Sequence, residues 1–174
     1  MTAVRFKRRS VRLPGYDYAS AGAYFVTICT HNRECAFGEI VNEAMQLNLY
    51  GVIVKNEWLK TRTMRPNIQL DEFVIMPNYI HGIIVIVHDR RGTVHRAPTE
   101  CFGQPVPNSI PTIIRSFKAV VTKQINILRN AWGSPLWQRG YYEHVIRDEN
   151  DVNRIREYIV NNPERWKKDN YYVQ

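Results

Sequence analysis

Residues 74–87 read VIMPNYIHGIIVIV. Two apolar, β-branched runs flank Pro77-Asn78, a pair that favours a tight turn. The spacing predicts a hairpin, with one strand over 68–76 (IQLDEFVIM) and an antiparallel return over 79–87. Side chains alternate along a strand, so Tyr79, His81 and Ile83 share one face, while Ile80, Gly82 and Ile84 share the other. A histidine among Ile and Val is costly unless its ring nitrogens find partners. It is either a core histidine bonded to a backbone carbonyl or a neutral ligand for a divalent metal. Gly82 leaves the opposite face open for a closely packed helix or backbone.

The rest of the chain builds around that hairpin. AYFVTICT (23–30) reads as a strand, CAFGEIV (35–41) as a second short one, with MQLN as its partner. LNLYGVIVKNEWLKT repeats apolar residues at Leu47, Val54 and Trp58, with Leu59 on the flank, and predicts a helix over about 48–63 that stops before Pro66. Asn108 or Ser109 caps a second helix with Pro111 in its first turn, running to Asn130. Ile113, Phe117, Val120 or Val121, Gln124 and Leu128 face one way on it; Arg115, Lys118, Lys123 and Arg129 face mostly the other. PLWQRGYYEHVI (135–146) is extended and aromatic. A last helix begins at Asp148, with acids in its first turn as the helix dipole prefers, and ends at Pro163. The order strand, strand, helix, strand, strand, helix, helix is an α+β pattern, an antiparallel sheet with helices packed mainly on one face. With no internal repeat and no dividing linker, residues 1–174 form one domain, carrying a basic arm (1–13) and a long turn-rich loop (89–108).

Lys and Arg outnumber Asp and Glu by 24 to 16, and the net charge of +8 favours a polyanionic partner, chiefly nucleic acid. The basic arm supplies Arg5, Lys7, Arg8, Arg9 and Arg12 for phosphate contacts, with Arg90, Arg91 and Arg96 in the long loop. The hydrophobic fraction of 44% is enough for a real core and excludes a disordered chain. Cys29, Cys35 and Cys101 form no CxxC pair, which argues against a disulfide framework or a structural zinc and for a reducing cytosol. No stretch is long and apolar enough for a spanning helix, so no membrane partner is expected.

Two further groups carry chemistry. Tyr158 and Asn162 lie four residues apart and project from one helix face, with Arg154 one turn earlier on the same stripe. A tyrosine on such a face is either a core aromatic or a nucleophile. Tyr141, Tyr142, Tyr171 and Tyr172 are rivals, but none has a ligand one helical turn away. Between the hairpin and that helix, Trp137, Tyr141 and Tyr142 alternate with Arg139, His144 and Arg147. Aromatic faces stack unpaired bases and arginines hold phosphates, so Trp137, Arg139 and Arg147 join Arg115 and Lys118 as candidate DNA contacts. The other reading is a core strand with a wet edge. The aromatic signature of an RNA-binding ferredoxin-like domain is absent.

PNYIHGIIVI resembles the signature strand of HUH single-tyrosine transposases, in which two histidines flank one apolar residue. The nearest subgroup is the REP-associated tyrosine transposases, matched by the turn Met76-Pro77-Asn78 and by YFVTICTHNRECAFGEI, LWQRGYYEHVIRDENDV and EYIVNNP, over roughly residues 14–166. The resemblance implies a ferredoxin-like HUH fold and a nuclease and strand transferase acting on single-stranded or hairpin DNA. It implies Tyr158 as nucleophile, forming a 5′-phosphotyrosine, with Mg2+ or Mn2+ held by His81 and Asn162. It also implies a cytoplasmic, nucleoid-associated protein and leaves both homodimer and monomer open. One position departs: Tyr79 stands where the first histidine is expected. A neutral phenol is a poor ligand for either ion. Tyr79 therefore reaches the metal, bonds a metal-bound water or caps an empty site. A hairpin-binding protein that has lost its chemistry is the alternative function.

Overall fold

The computed structural model describes residues 16–87 and 106–173. The arm residues Arg5, Lys7, Arg8, Arg9 and Arg12, the loop positions 89–105 and Cys101 lie outside the described residues.

The elements follow in the order β1 (Gly22–Cys29), β2 (Gly38–Val41), β3 (Ala44–Leu47), α1 (Leu49–Met64), β4 (Ile68–Met76), β5 (Tyr79–Ile86), α2 (Ile110–Leu128), β6 (Tyr142–Ile146) and α3 (Glu149–Val160). Four strands form an antiparallel sheet in the order β4-β5-β1-β6, while β2 and β3 pair separately. The β4–β5 hairpin turns at Pro77-Asn78 as expected, and Met76 pairs with Tyr79. Each helix starts at a polar cap that satisfies an otherwise orphaned backbone N–H: Asn48 accepts from Gly51, Ser109 from Thr112 and Asp148 from Asp151. Ser109, not Asn108, is the cap of α2.

The two longer helices lie on one face of the sheet. Val54 and Trp58 of α1 and Phe117, Val121 and Ile125 of α2 join Tyr24, Val26, Ile28, Ile80 and Ile84 in the main core. Ile125 carries the stripe on α2, and Leu128, expected inward, is exposed in the last turn. The third helix, α3, covers the opposite face, where Ile155 and Ile159 pack on Phe25, Ile83 and Ile146. The odd-numbered side chains of β5 thus meet α3, and the even-numbered ones meet α1 and α2.

Two local devices serve this arrangement. Between Leu70 and Phe73 the β4 register slips by one residue, a bulge. Ile68 and Leu70 before it, and Phe73 and Ile75 after it, consequently all face the α1–α2 core despite their change of parity. At Gly82 the α1 helix closes on the sheet: a Cβ there would lie 2.4 Å from Trp58 Cζ2. Only glycine admits that approach.

Candidate functional site

The α3 face of the sheet gathers the chemistry. His81 of β5 sits directly opposite Thr27 of β1. Its Nδ1 lies 2.8 Å from Thr27 Oγ1, and its Nε2 lies 3.2 Å from the hydroxyl of Tyr158. The ring is 1% exposed and rests 5.1 Å from the Phe25 ring. Burial disfavours its charged form and pushes its pKa down to about 3. His81 is therefore a neutral imidazole with both nitrogens engaged, the two partners that a histidine in an apolar strand requires.

Tyr158 comes from α3. Its neighbours Ile155 and Ile159 bury the helix stripe, while Tyr158 stays 40% exposed and turns its hydroxyl back to His81. Burial of the phenol, then the nearby Asp169 carboxylate, raises its pKa, and a hydrogen bond with Asn162 opposes that. The helix is seated by Arg156, whose Nε and Nη2 donate to the two carboxylate oxygens of Asp71 at 3.0 and 2.6 Å. Asp71 lies within the β4 bulge.

Tyr79, 0% exposed, sits two residues before His81 with its ring 4.5 Å away. Its hydroxyl donates to Asn162 Oδ1 and also faces Asp169 Oδ2 at 3.1 Å. Burial first, and Asp169 next, push the phenol's pKa well above its ordinary value, so the group stays protonated. Asp169 follows a 3-10 turn at Trp166–Lys168, and Trp166 and Tyr171 pack against Tyr79.

On the open side, a cavity of about 530 Å3 is lined by Phe25, Tyr142, His144, Arg154, Ile155, Glu157, Tyr158 and Arg165. Arg154 and His144 both pair with Asp151, at 2.6 and 2.7 Å. Tyr158 thus opens onto a pocket with two guanidinium groups and an exposed aromatic ring, Tyr142.

The expected DNA contacts divide. Arg115, Arg139 and Arg147 are exposed. Trp137 is not a stacking platform: it is 7% exposed, packs on Phe37 and Phe117, and donates its Nε1 hydrogen to Lys118 O. Lys118 is likewise engaged within the protein: its Nζ donates to the carbonyls of Gln138 and Gly140 at 2.7 and 2.9 Å. Burial lowers its pKa to about 8. The pair fastens α2 to the segment before β6. An exposed ring, Tyr142, lines the same cavity as Tyr158.

An uncharacterised protein of Haemophilus influenzae is 45% identical over 171 residues, covering 95% of this chain and 93% of that one. The chain belongs to the family of that Haemophilus protein. A UPF0301 protein of Yersinia enterocolitica is 27% identical over 150 residues, covering 81% of this chain and 76% of that one. No family model matches. Among solved structures, a REP-associated tyrosine transposase bound to a REP hairpin superposes with a TM-score of 0.57 at 18% identity, covering 88% of this chain and 73% of that one. That likeness shows an α+β fold shared with that structure.

The donor set does not fit the divalent ion that the resemblance implies. His81 spends one nitrogen on Thr27 and the other on Tyr158. The Asn162 carboxamide oxygen and one Asp169 oxygen are turned on the Tyr79 hydroxyl. A protonated phenol between them offers a donor where a ligand is needed. Among the described residues no group of three or more His, Cys, Asp or Glu is placed to hold a metal. Thr27 and Asp169 were absent from the sequence reading. A lone threonine in the apolar run AYFVTIC was a signal for the first; the second carried none.

Proposed function

We propose that the chain is a DNA strand nuclease and transferase with Tyr158 as its nucleophile, acting on single-stranded or hairpin DNA. The observation that carries the reading is the Tyr158 hydroxyl held 3.2 Å from a buried imidazole nitrogen, at the wall of a cavity that also presents Arg154 and Arg165. The transposase fold supports it.

The chemistry follows from those groups. A backbone phosphate entering the cavity meets the two guanidinium groups, which bind its oxygens and offset charge as it develops. Tyr158 Oη attacks phosphorus; the new P–O bond forms as the bond from phosphorus to the 3′ oxygen breaks. The tyrosine proton passes to His81 Nε2, and the departing 3′ oxygen takes a proton from water, leaving a 5′-phosphotyrosine and a free 3′-hydroxyl. This requires the tautomer in which Nδ1–H donates to Thr27 Oγ1. Burial makes His81 a weak base in the free protein. A phosphate anion beside it favours the imidazolium and strengthens it as the strand binds. Reversal of the same step rejoins a strand without ATP.

A second reading is a hairpin-binding protein without chemistry, favoured by the Tyr79 hydroxyl standing between Asn162 and Asp169. Covalent trapping separates the two. The protein is mixed with single-stranded hairpin DNAs in Mn2+, Mg2+ or EDTA and resolved on a denaturing gel. An adduct that Tyr158→Phe abolishes, with hairpin binding retained, supports strand transfer. Hairpin binding with no adduct under all three conditions overturns it and leaves the binder.

A further inference from the structure

A histidine at position 79 would present a nitrogen lone pair to its surroundings, whereas Tyr79 presents an O–H. That inverts the polarity its neighbours must match. Asn162 and Asp169 match it as acceptors, with the carboxamide oxygen and Asp169 Oδ2 both facing the phenolic hydroxyl. The arrangement is fixed from several sides. Asp169 Oδ1 accepts from the backbone N–H of Tyr171 at 2.7 Å, which orients the carboxylate. Asn78 Nδ2 donates to Tyr171 O at 2.9 Å, and Arg33 donates to Asn170 O at 3.1 Å. The Tyr79 ring lies 4.8 Å from Tyr171 and 4.5 Å from His81. A dication on the same two oxygens would take both acceptors from the phenol and leave its O–H dipole aimed at positive charge, in a buried place where water cannot compensate.

We propose that the Tyr79 hydroxyl does the work of a cation at this site: it joins the Asn162 carboxamide to the Asp169 carboxylate, latches residues 166–172 beside the His81–Tyr158 pair, and makes strand binding independent of divalent metal. The inference concerns the site of the strand-transfer reading and rests on that reading for its biological meaning.

The test is Mn2+ binding by the whole chain without DNA, followed by the electron paramagnetic resonance signal of free Mn2+, together with the melting temperature in Mn2+ and in EDTA. The wild type is expected to take up no stoichiometric Mn2+ and to melt alike in both. Tyr79→His is expected to bind one Mn2+ per chain and to melt higher in Mn2+. Uptake of one Mn2+ by the wild type, lost in Asp169→Asn, overturns the proposal. So does a Tyr79→His variant that is folded by circular dichroism yet binds none. If Tyr79→His fails to fold, limited proteolysis decides: Asp169→Asn is expected to expose residues 166–172 to cleavage whether or not Mn2+ is present, and protection of the wild type by Mn2+ overturns the latch. Adduct formation is scored separately. A wild type that binds Mn2+ and forms the adduct sinks this inference alone, while a metal-free wild type without adduct sinks strand transfer alone.

Discussion

Gly82→Ala is the sharpest test of how the sheet holds the site. In an unhindered strand the change would be neutral or stabilising, because alanine loses less backbone entropy on folding, by roughly 0.5–1 kcal/mol. Here the added Cβ lies 2.4 Å from Trp58 Cζ2, 3.1 Å from Trp58 Cε2 and 3.2 Å from Phe73 Cβ. Trp58 has nowhere to retreat. It is 0% exposed, with Phe117 against it edge-on at 5.4 Å and Phe73 at 6.2 Å between ring centroids. Overpacking of a closed core costs about 1–3 kcal/mol, and contact with a rigid ring puts this case at the upper end. The net loss should be about 2 kcal/mol, read by urea unfolding as a midpoint lower by about 1 M at an unchanged slope. Trp58→Phe should relieve the clash, since the smaller ring vacates that space. It also removes an indole N–H that finds no hydrogen-bond partner among the described residues. The double variant should therefore be more stable than the sum of the single effects by at least about 1 kcal/mol. Gly82→Ala at or above wild-type stability, or strict additivity with Trp58→Phe, would refute the close approach.

Other predictions concern the helix that carries Tyr158 and the cavity beside it. Asp148→Ala removes the side chain that caps α3 through the Asp151 N–H at 2.9 Å and should cost about 1 kcal/mol in thermal or urea unfolding, with a matching loss of adduct at temperatures near the transition. The Arg156 guanidinium beside Asp71 holds that carboxyl below its usual range. A depressed carboxyl stabilises above its unfolded pKa, so the advantage of wild type over Asp71→Asn should be full near neutrality and shrink as the pH falls below about 4. A constant difference from pH 7 to 2 would count against the pair. Arg165→Ala should weaken hairpin binding and lower the slope of log affinity against log salt by about 1. Tyr142→Ala should weaken single-strand binding by about 1–3 kcal/mol if the exposed ring stacks a base, measured by fluorescence anisotropy, and should leave duplex binding unchanged.

What the sequence disclosed and what it withheld follow the range of the interactions. The β4–β5 hairpin, the strand at β1 and all three helices were legible because turn chemistry, alternation and capping are written in neighbouring residues. The bulge was legible in principle: the apolar positions of IQLDEFVI change parity after Leu70, and only an inserted residue keeps Ile68 and Ile75 in one core. Trp137 and Lys118 have partners inside the protein that local reading did not anticipate, for a different reason. An aromatic beside basic residues looks the same in sequence whether it stacks on a base or on Phe117, and a lysine gives no sign that two carbonyls will claim it.

The departure at position 79 shows best where local reading stops. From sequence, Tyr79 either reaches a metal, bonds a metal-bound water or caps an empty site, and each option concerns only Tyr79 and the metal position. The answer depends on Asp169, 90 residues later, which no spacing rule ties to β5. A buried hydroxyl left unpaired would cost about 1–3 kcal/mol, so a tyrosine placed there demands an acceptor. Asn162, already turned inward as a ligand would be, supplies one. Asp169 adds a charged acceptor on the same hydroxyl, and a phenol has one proton to share between them. The pair of acceptors accounts for the tyrosine better than a vacant metal site does: a hole would need only bulk, and phenylalanine would fill it. Tyr79→Phe is therefore the informative companion to Tyr79→His. It keeps the ring against His81 and Tyr171 but takes from Asn162 Oδ1 and Asp169 Oδ2 the hydroxyl that both face. The expected outcome is a loss of about 1–3 kcal/mol in unfolding free energy together with easier cleavage of residues 166–172. A Tyr79→Phe variant as stable and as protease-resistant as the wild type would mean that the hydroxyl holds nothing in place.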